Sequence, residues 1–275
     1  MPPKTRAYKK LKAVPPRQTK TPPTYVATVT WRSVEVEHMQ SILALLARGE
    51  CVYQIKSGDA LIERGRAIVA TSFLLKYPDC DVMVQIDSDI MFKPDDVHLL
   101  AQQARDTKGV VCGLYVTRSR TQPFPAAFLE QNVPVDTSKI EPVPIRWPST
   151  GFMAVHRSVL ERLAVDMPLC HPDENIQHYP FFNVEIDKDD RGTWINLSED
   201  YSFGKRVRDA GFGIYCSPSI RLRHIGTYAF RLEDMADPPR PDEARLVLTR
   251  EGLSTGTRSG YHLQGAEFEA EIEGL

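Results

Sequence analysis

The sequence predicts an α/β protein: a single, mainly parallel central sheet with helices on both faces. Three observations carry that expectation. Short β-branched or near-continuous apolar runs alternate with helical patterns from Tyr25 to Leu114. The resulting order, strand–helix–strand–helix–strand–helix–strand, is that of parallel strands joined by crossover helices in a three-layer sandwich. The 275 residues are 42% hydrophobic and 25% charged, as in a globular protein with a sizeable core, and the length fits one large domain or two small ones.

The first strand is Tyr25–Thr30 (YVATVT), short and β-branched. Apolar residues at 36, 39, 42, 43 and 46 then share one helical face over Val36–Ala47, with Gly49 as a cap. Cys51–Ile55 is the second strand, and a helical pattern runs from Asp59 to Lys76, stopping before Pro78. Val82–Ile86 (VMVQI) has the unbroken apolar character of a buried parallel strand. Pro94–Arg105 begins with proline and acids, as a helix start prefers, and Val110–Leu114 is the fourth strand. Beyond it, residues 117–150 are proline-rich and 166–198 are long, polar and poorly patterned. Between them lie a strand at Phe152–His156 and a short helix at Ser158–Leu163; Glu199–Ala210 is a further helix, closed by Gly211. Loops this long in a compact domain are usually functional. The expected organisation is one domain over residues 24–230, with a nucleotide-binding α/β half (24–116) and a loop-built substrate half (117–230), followed by an extension over 231–275.

Lys plus Arg is 34 and Asp plus Glu 36, a net charge of −2 that gives no global field for nucleic acid or an anionic membrane. Residues 1–20 nevertheless hold seven lysines and arginines and no acid, and residues 1–23 read as a disordered, basic, proline-rich arm. No apolar run approaches the roughly 20 residues of a membrane span. The five cysteines are scattered, without CxxC, which argues against a disulfide scaffold or a zinc ribbon and fits a reducing, cytoplasmic compartment.

Six groups of residues could do chemistry. Asp87-Ser88-Asp89 leaves the apolar strand 82–86 at its carboxyl end, where open α/β sheets bind ligands. Two carboxylates so placed can share Mn²⁺ or Mg²⁺, which keeps substrate phosphates in its shell; an ordinary acidic turn is the plainer alternative. Glu199-Asp200 opens a helix behind the capping residue Ser198. The helix dipole accounts for acids there, and so does a general base facing a pocket. His224 ends an apolar run, as a structural residue or as a third metal ligand. Lys56, Arg64 and Arg66 cluster near a helix start, where a pyrophosphate would explain them and a solvated face would as well. Trp31-Arg32, after the first strand, could stack on a nucleobase. Finally, Trp147 and Thr150-Gly151 precede the strand at 152, as a turn or as a wall of a substrate pocket. Tyr179, Phe181 and Phe182 could cover a sugar, meet a partner or fill core.

Taken in order, YVATVT, IDSDIMF, STGFMAVHRSVLERL, SEDYSFGKRVRDAGF and RHIG resemble the GT-A class of nucleotide-sugar glycosyltransferases, in the family-two-like group with bacterial and viral members. The resemblance covers roughly residues 24–230 and implies a Rossmann-like GT-A fold. It implies a hexosyltransferase-type enzyme that takes a sugar from a nucleotide-diphosphate sugar, UDP- or GDP-linked, to a hydroxyl acceptor with Mn²⁺ or Mg²⁺. It implies that Asp87, Asp89 and His224 hold the metal, with Asp89 the direct ligand and Asp87 turned partly to the ribose. Thr30, Trp31, Arg32, Arg64, Arg66, Asp87 and Ser88 would bind the donor, Trp147, Thr150 and Gly151 would line the sugar and acceptor pocket, and Asp200 beside Glu199 would act as base with inversion. A retaining enzyme with the same metal site is the alternative within the class. The acidic pair that usually follows the second strand is replaced by Lys56-Ser57-Gly58-Asp59. A nucleotidyltransferase would show a glycine-rich loop after the first strand, where Thr-Trp-Arg-Ser stands instead. A nucleic-acid-binding protein, or a glycosyltransferase brought to DNA by the basic arm, is a further alternative.

Overall fold

A computed structural model describes residues 22–118, 128–129, 135–174, 176–189, 191–235, 241–245, 247–250 and 261–264. The basic arm lies outside them except for Pro22 and Pro23, as do parts of the 117–150 loop and most of the C-terminal extension.

The first half alternates as the sequence predicts: β1 (Thr24–Val29), α1 (Val36–Leu46), β2 (Cys51–Lys56), α2 (Ile62–Lys76), β3 (Val82–Asp87), a short β4 (Ile90–Met91), α3 (Pro94–Thr107) and β5 (Val110–Gly113). The second half adds β6 (Phe128–Leu129), β7 (Val135–Asp136), β8 (Val143–Trp147), β9 (Phe152–His156) and α4 (Arg157–Val165). Two hairpins follow, β10 (Cys170–Asp173) with β11 (Ile176–His178), and β12 (Ile186–Lys188) with β13 (Trp194–Asn196). Then come α5 (Glu199–Asp209), β14 (Ile214–Ser217), β15 (Arg223–Ile225) and β16 (Ala229–Phe230). A 3₁₀ turn at Leu232–Met235 and the strands β17 (Val247–Arg250) and β18 (Tyr261–Gln264) end the described chain.

The central sheet runs β2-β1-β3-β9-β5-β14-β8-β6. Six strands (β2, β1, β3, β5, β14, β6) point one way; β9 and β8 point the other. The expected parallel series is thus interrupted: β9 lies antiparallel between β3 and β5, pairing Val84 with Ala154 and Cys112 with Met153. Helices α1 and α3 cover one face through Ile42, Leu45, Val97 and Leu100; α2, α4 and α5 cover the other through Ala67, Phe73, Leu160 and Phe203. Burial explains the patterns. β1 and β5 are buried at every position and β3 at all but its last, so they read as unbroken apolar runs, while β2 at the sheet edge keeps its charges partly in water.

Two helix ends show how sequence becomes structure. Asp96 accepts the N–H of Lys93 at 2.8 Å and so caps α3 behind Pro94. Arg157, at the start of α4, donates to the carbonyls of Phe73, Leu74, Tyr77 and Cys80, satisfying the end of α2 and the turn beyond it, and lies over the Phe73 ring at 4.3 Å. Of the three readings open for the aromatics at 179–182, Phe181 and Phe182 are core: both are fully buried, and Phe182 stacks on Phe203 with centroids 4.5 Å apart.

Candidate active site

The Asp87-Ser88-Asp89 turn, between β3 and β4, is pinned by three remote segments. The N–H of Asp87 donates to the Gly151 carbonyl (2.9 Å), the carbonyl of Ser88 accepts from Glu35 (3.0 Å), and that of Asp89 accepts from Ile225 (2.7 Å). The turn therefore sits at the carboxyl end of β3 with its two carboxylates set by backbone, before any side chain acts.

The carboxylates go to different partners. Asp87 meets the guanidinium of Arg66 through two oxygens, at 2.8 and 3.2 Å. Arg66, only 3% exposed, also approaches Glu199 at 3.7 Å and the Thr150 carbonyl at 3.5 Å. Asp89 meets His224 Nε2 at 3.4 Å and Arg118 at 3.1 Å. Burial pushes the Asp89 carboxyl up, but His224 and Arg118 outweigh it and hold it below the usual carboxylate range. His224 Nδ1 lies 2.9 Å from the Val116 carbonyl, which can only accept, so Nδ1 carries the proton and Nε2 is the nitrogen turned to Asp89. Tyr115 stands edge-on to the His224 ring at 5.3 Å, and its hydroxyl accepts the Gly151 N–H at 3.2 Å.

At the start of α5, Ser198 caps the helix as the sequence predicts. Asp200 accepts the Ser198 hydroxyl and, at 2.9 Å, the Tyr201 N–H; both bonds fall on Oδ1, which leaves Oδ2 for a group from outside. Burial pushes the Asp200 carboxyl above its ordinary value; it does the same to Glu199, where Arg66 opposes it. Buried carboxylates raised in this way are better bases.

The side expected to take the nucleotide is organised by the exits of β1 and β2. Thr30 donates its N–H to Lys56 (2.9 Å) and its hydroxyl to Ser33, and the Trp31 carbonyl accepts from Gly58 (3.0 Å). Gly58 has φ +77°, which glycine takes without cost. Trp31 is half exposed, with Arg32 over its ring at 5.5 Å. Arg64 grips Asp59 through two bonds of 2.8 Å. The expectation that Arg64 and Arg66 face an anionic ligand is therefore modified: acids of the chain engage both, and Arg66 is the buried tie between the Asp87 turn and α5. Trp147 stacks on Tyr201, the chain neighbour of Asp200, at 5.0 Å, and the Arg208 guanidinium lies over the Trp147 ring at 4.3 Å. Thr150 is buried, contributing its carbonyl, and a Cβ on Gly151 would lie 2.5 Å from the Tyr115 hydroxyl.

No protein-family model matches the sequence, and no curated protein does. Comparison with solved structures gives weak similarities. The A197 protein of the virus STIV is 18% identical, covering 82% of this chain and 90% of its own, with a TM-score of 0.48. A Drosophila β-1,4-galactosyltransferase 7 mutant, solved with manganese, UDP-Gal and xylobiose, is 14% identical over 74% of this chain and 71% of its own, with a TM-score of 0.39. A glycosyltransferase involved in glycosylation of the major capsid of PBCV-1 is 12% identical over 51% of this chain and 62% of its own, with a TM-score of 0.33.

Of the three residues expected to hold a metal, the structure joins Asp89 and His224 and turns Asp87 to Arg66. Among the described residues no three His, Cys, Asp or Glu side chains converge as a cation site. The Asp89–His224 pair still suits a divalent ion that takes its remaining ligands from phosphate and water, because a carboxylate oxygen and an imidazole nitrogen already face each other. Tyr115 and Arg118 are parts of the site that the sequence reading missed. Tyr115 follows β5 at its carboxyl end, the same positional signal that singled out Asp87 and Asp89.

Proposed function

We propose that the protein is a glycosyltransferase that moves a sugar from a UDP- or GDP-sugar to a hydroxyl acceptor, with Asp200 as the base. The observation that carries the reading is the tie through Arg66: acids over a hundred positions apart in sequence, Asp87 and Glu199, meet on one buried guanidinium. That contact ties the turn that carries Asp89, which faces His224, to the start of α5, where Asp200 follows Glu199.

Trp31 and Arg32, exposed at the exit of β1, receive the nucleobase. Asp89 and His224 would hold Mn²⁺ or Mg²⁺, which neutralises the charge that develops on the nucleoside diphosphate as it leaves. Arg118, half exposed and already turned toward Asp89, adds positive charge on the same side. Asp200 Oδ2 takes the acceptor proton while the acceptor oxygen attacks the anomeric carbon, and the raised basicity of the buried carboxyl suits that step. Glu199 keeps Arg66 in place, and Arg66 keeps Asp87 and the turn in place. A single displacement of this kind inverts the anomeric centre.

The test is a panel of UDP-, GDP-, CMP- and dTDP-sugars with Mn²⁺ or EDTA, followed by NMR of the product anomer. One nucleotide should raise the melting temperature only with metal. Asp200→Asn should keep that shift and lose about 10²–10⁴ in kcat. A retained anomer removes the base role of Asp200, and transfer of a nucleotidyl group instead of a sugar overturns the reading.

A further inference from the structure

Behind the Asp89–His224 pair lies a second charged cavity. Neighbouring residues of a strand point to opposite faces, so Arg223 faces away from the side that His224 occupies. There Lys93, Arg221, Arg223 and Arg231 surround a cavity of about 100 Å³, well above the roughly 10–15 Å³ that admits one water. Glu233, 2% exposed, lies 3.4 Å from Arg221 Nε, and Asp234 meets Arg231 at 3.0 Å. The buried Nε of Arg231 has no hydrogen-bond partner among the described residues, whereas Arg221 turns its Nε to Glu233 and donates its other nitrogens to the Pro218 and Thr137 carbonyls at 2.8 and 3.2 Å. Buried donors of this kind are costly to leave unmade.

The cavity is closed by residues 241–245. Asp242 meets Arg223 at 2.5 Å and Arg231 at 3.5 Å, and Glu243 meets Lys93. Arg245 adds an ion pair to Asp136 at 2.7 Å. No residue of this segment is buried: four are exposed and Ala244 is intermediate. Its hold on the fold is therefore almost entirely charge on charge in contact with water, the type of contact that salt and competing anions weaken.

We propose that Lys93, Arg221, Arg223 and Arg231 form a binding site for a phosphate group, and that Asp242 and Glu243 occupy it as an internal competitor until such a ligand displaces them. The carboxylates stand where phosphate oxygens would take the arginine forks, and the unused Nε of Arg231 adds a contact that the carboxylates leave unmade. The cavity's lining includes none of the residues assigned to the donor, the metal or the base, and the proposal does not depend on the glycosyltransferase reading.

The experiment is calorimetric titration of the full chain with inorganic phosphate, in EDTA and at constant ionic strength, with a glycerophosphate titrated in parallel. Asp242→Asn with Glu243→Gln should tighten phosphate about tenfold, the scale of three exposed ion pairs lost by the competitor. Adding Arg223→Gln and Arg231→Gln should abolish that gain, and neutralising a distant exposed acid by Asp166→Asn should give none. A gain shared by the glycerophosphate assigns the site to a phosphate on a larger ligand; a gain confined to inorganic phosphate assigns it to the free ion. An affinity that the acid variants do not change, or a gain that survives loss of the two arginines, overturns the proposal. EDTA keeps this readout independent of any metal-dependent donor binding, so the two readings fail separately.

Discussion

Replacing Arg66 with methionine removes the guanidinium that separates Asp87 from Glu199 while keeping much of the apolar stem. Deleting one partner of a buried ion pair costs about 3–5 kcal/mol, because the other charge stays behind without compensation. The Asp87 and Glu199 side chains keep 28% and 22% of their surface in water. Solvent screening therefore puts the expected loss near the lower end, about 3 kcal/mol, out of a total stability of about 5–15 kcal/mol for a typical domain. The loss also has a pH signature. Glu199 already lies above its ordinary value of 4.5 because of burial, and Arg66 opposes that rise. Without Arg66 it rises further. A carboxyl whose folded pKa exceeds its unfolded one favours folding below the unfolded value, and that advantage vanishes as pH climbs through the folded value. Urea unfolding of Arg66→Met and wild type should thus show a small gap below pH 4.5 and a widening one toward neutrality. A gap of equal size at both ends, or one under about 1 kcal/mol at neutral pH, would refute the reasoning.

Other perturbations are as direct. Asp89→Asn should abolish the metal-dependent donor shift in melting temperature while leaving the unfolding midpoint without donor nearly unchanged; a retained shift means that the cation is held elsewhere. Gly151→Ala pushes a methyl against Tyr115 and should cost about 1–3 kcal/mol. In a Tyr115→Leu background the same change should cost less by urea unfolding, and equal costs would place the clash elsewhere. His38 is fully buried between the Thr28 hydroxyl and the Ile90 carbonyl, at 2.9 Å from each, and burial lowers its pKa below 6.5. Its contribution is complete above pH 6.5 and is lost as pH falls through the lower folded value. His38→Gln should flatten the acid limb of the stability profile by up to about 1.4 kcal/mol per pH unit, and an unchanged limb would clear His38 of that role.

The first half was legible because its strands are buried on both faces and its helices on one. Val82–Ile86 and Phe152–His156 announced themselves by composition, and the observed strands differ by a residue at most. Glu199 marked the start of α5 because Ser198 is a competent cap. The Asp59–Lys76 helix begins later, at Ile62, because Asp59 spends its carboxylate on Arg64 and the Leu61 N–H. What sequence could not supply was neighbourhood. The place of β9 between β3 and β5 follows from no local pattern, and the hairpins within 166–198 are three or four residues a strand, largely exposed and without alternation. The same limit applied to the site. Asp87, Asp89, Glu199, Asp200 and His224 could be named singly, but that Arg66 is a buried tie between Asp87 and Glu199 needed the third dimension.

The antiparallel β9 also bears on how the chain acquires its shape. Strand β3 can pair with β1 as soon as residues 24–87 exist, but its other edge, and one edge of β5, must wait until His156 has been made. Until then a nascent chain carries two apolar strands, β3 and β5, each with a row of unpaired amides facing the place that β9 will fill. Closing them requires contacts of long sequence separation, the type that slows folding. The same strand begins directly after Gly151, whose carbonyl receives the Asp87 N–H. The event that bridges β3 and β5 is thus the one that sets the acidic turn, and a chain stopped short of residue 156 would lack both.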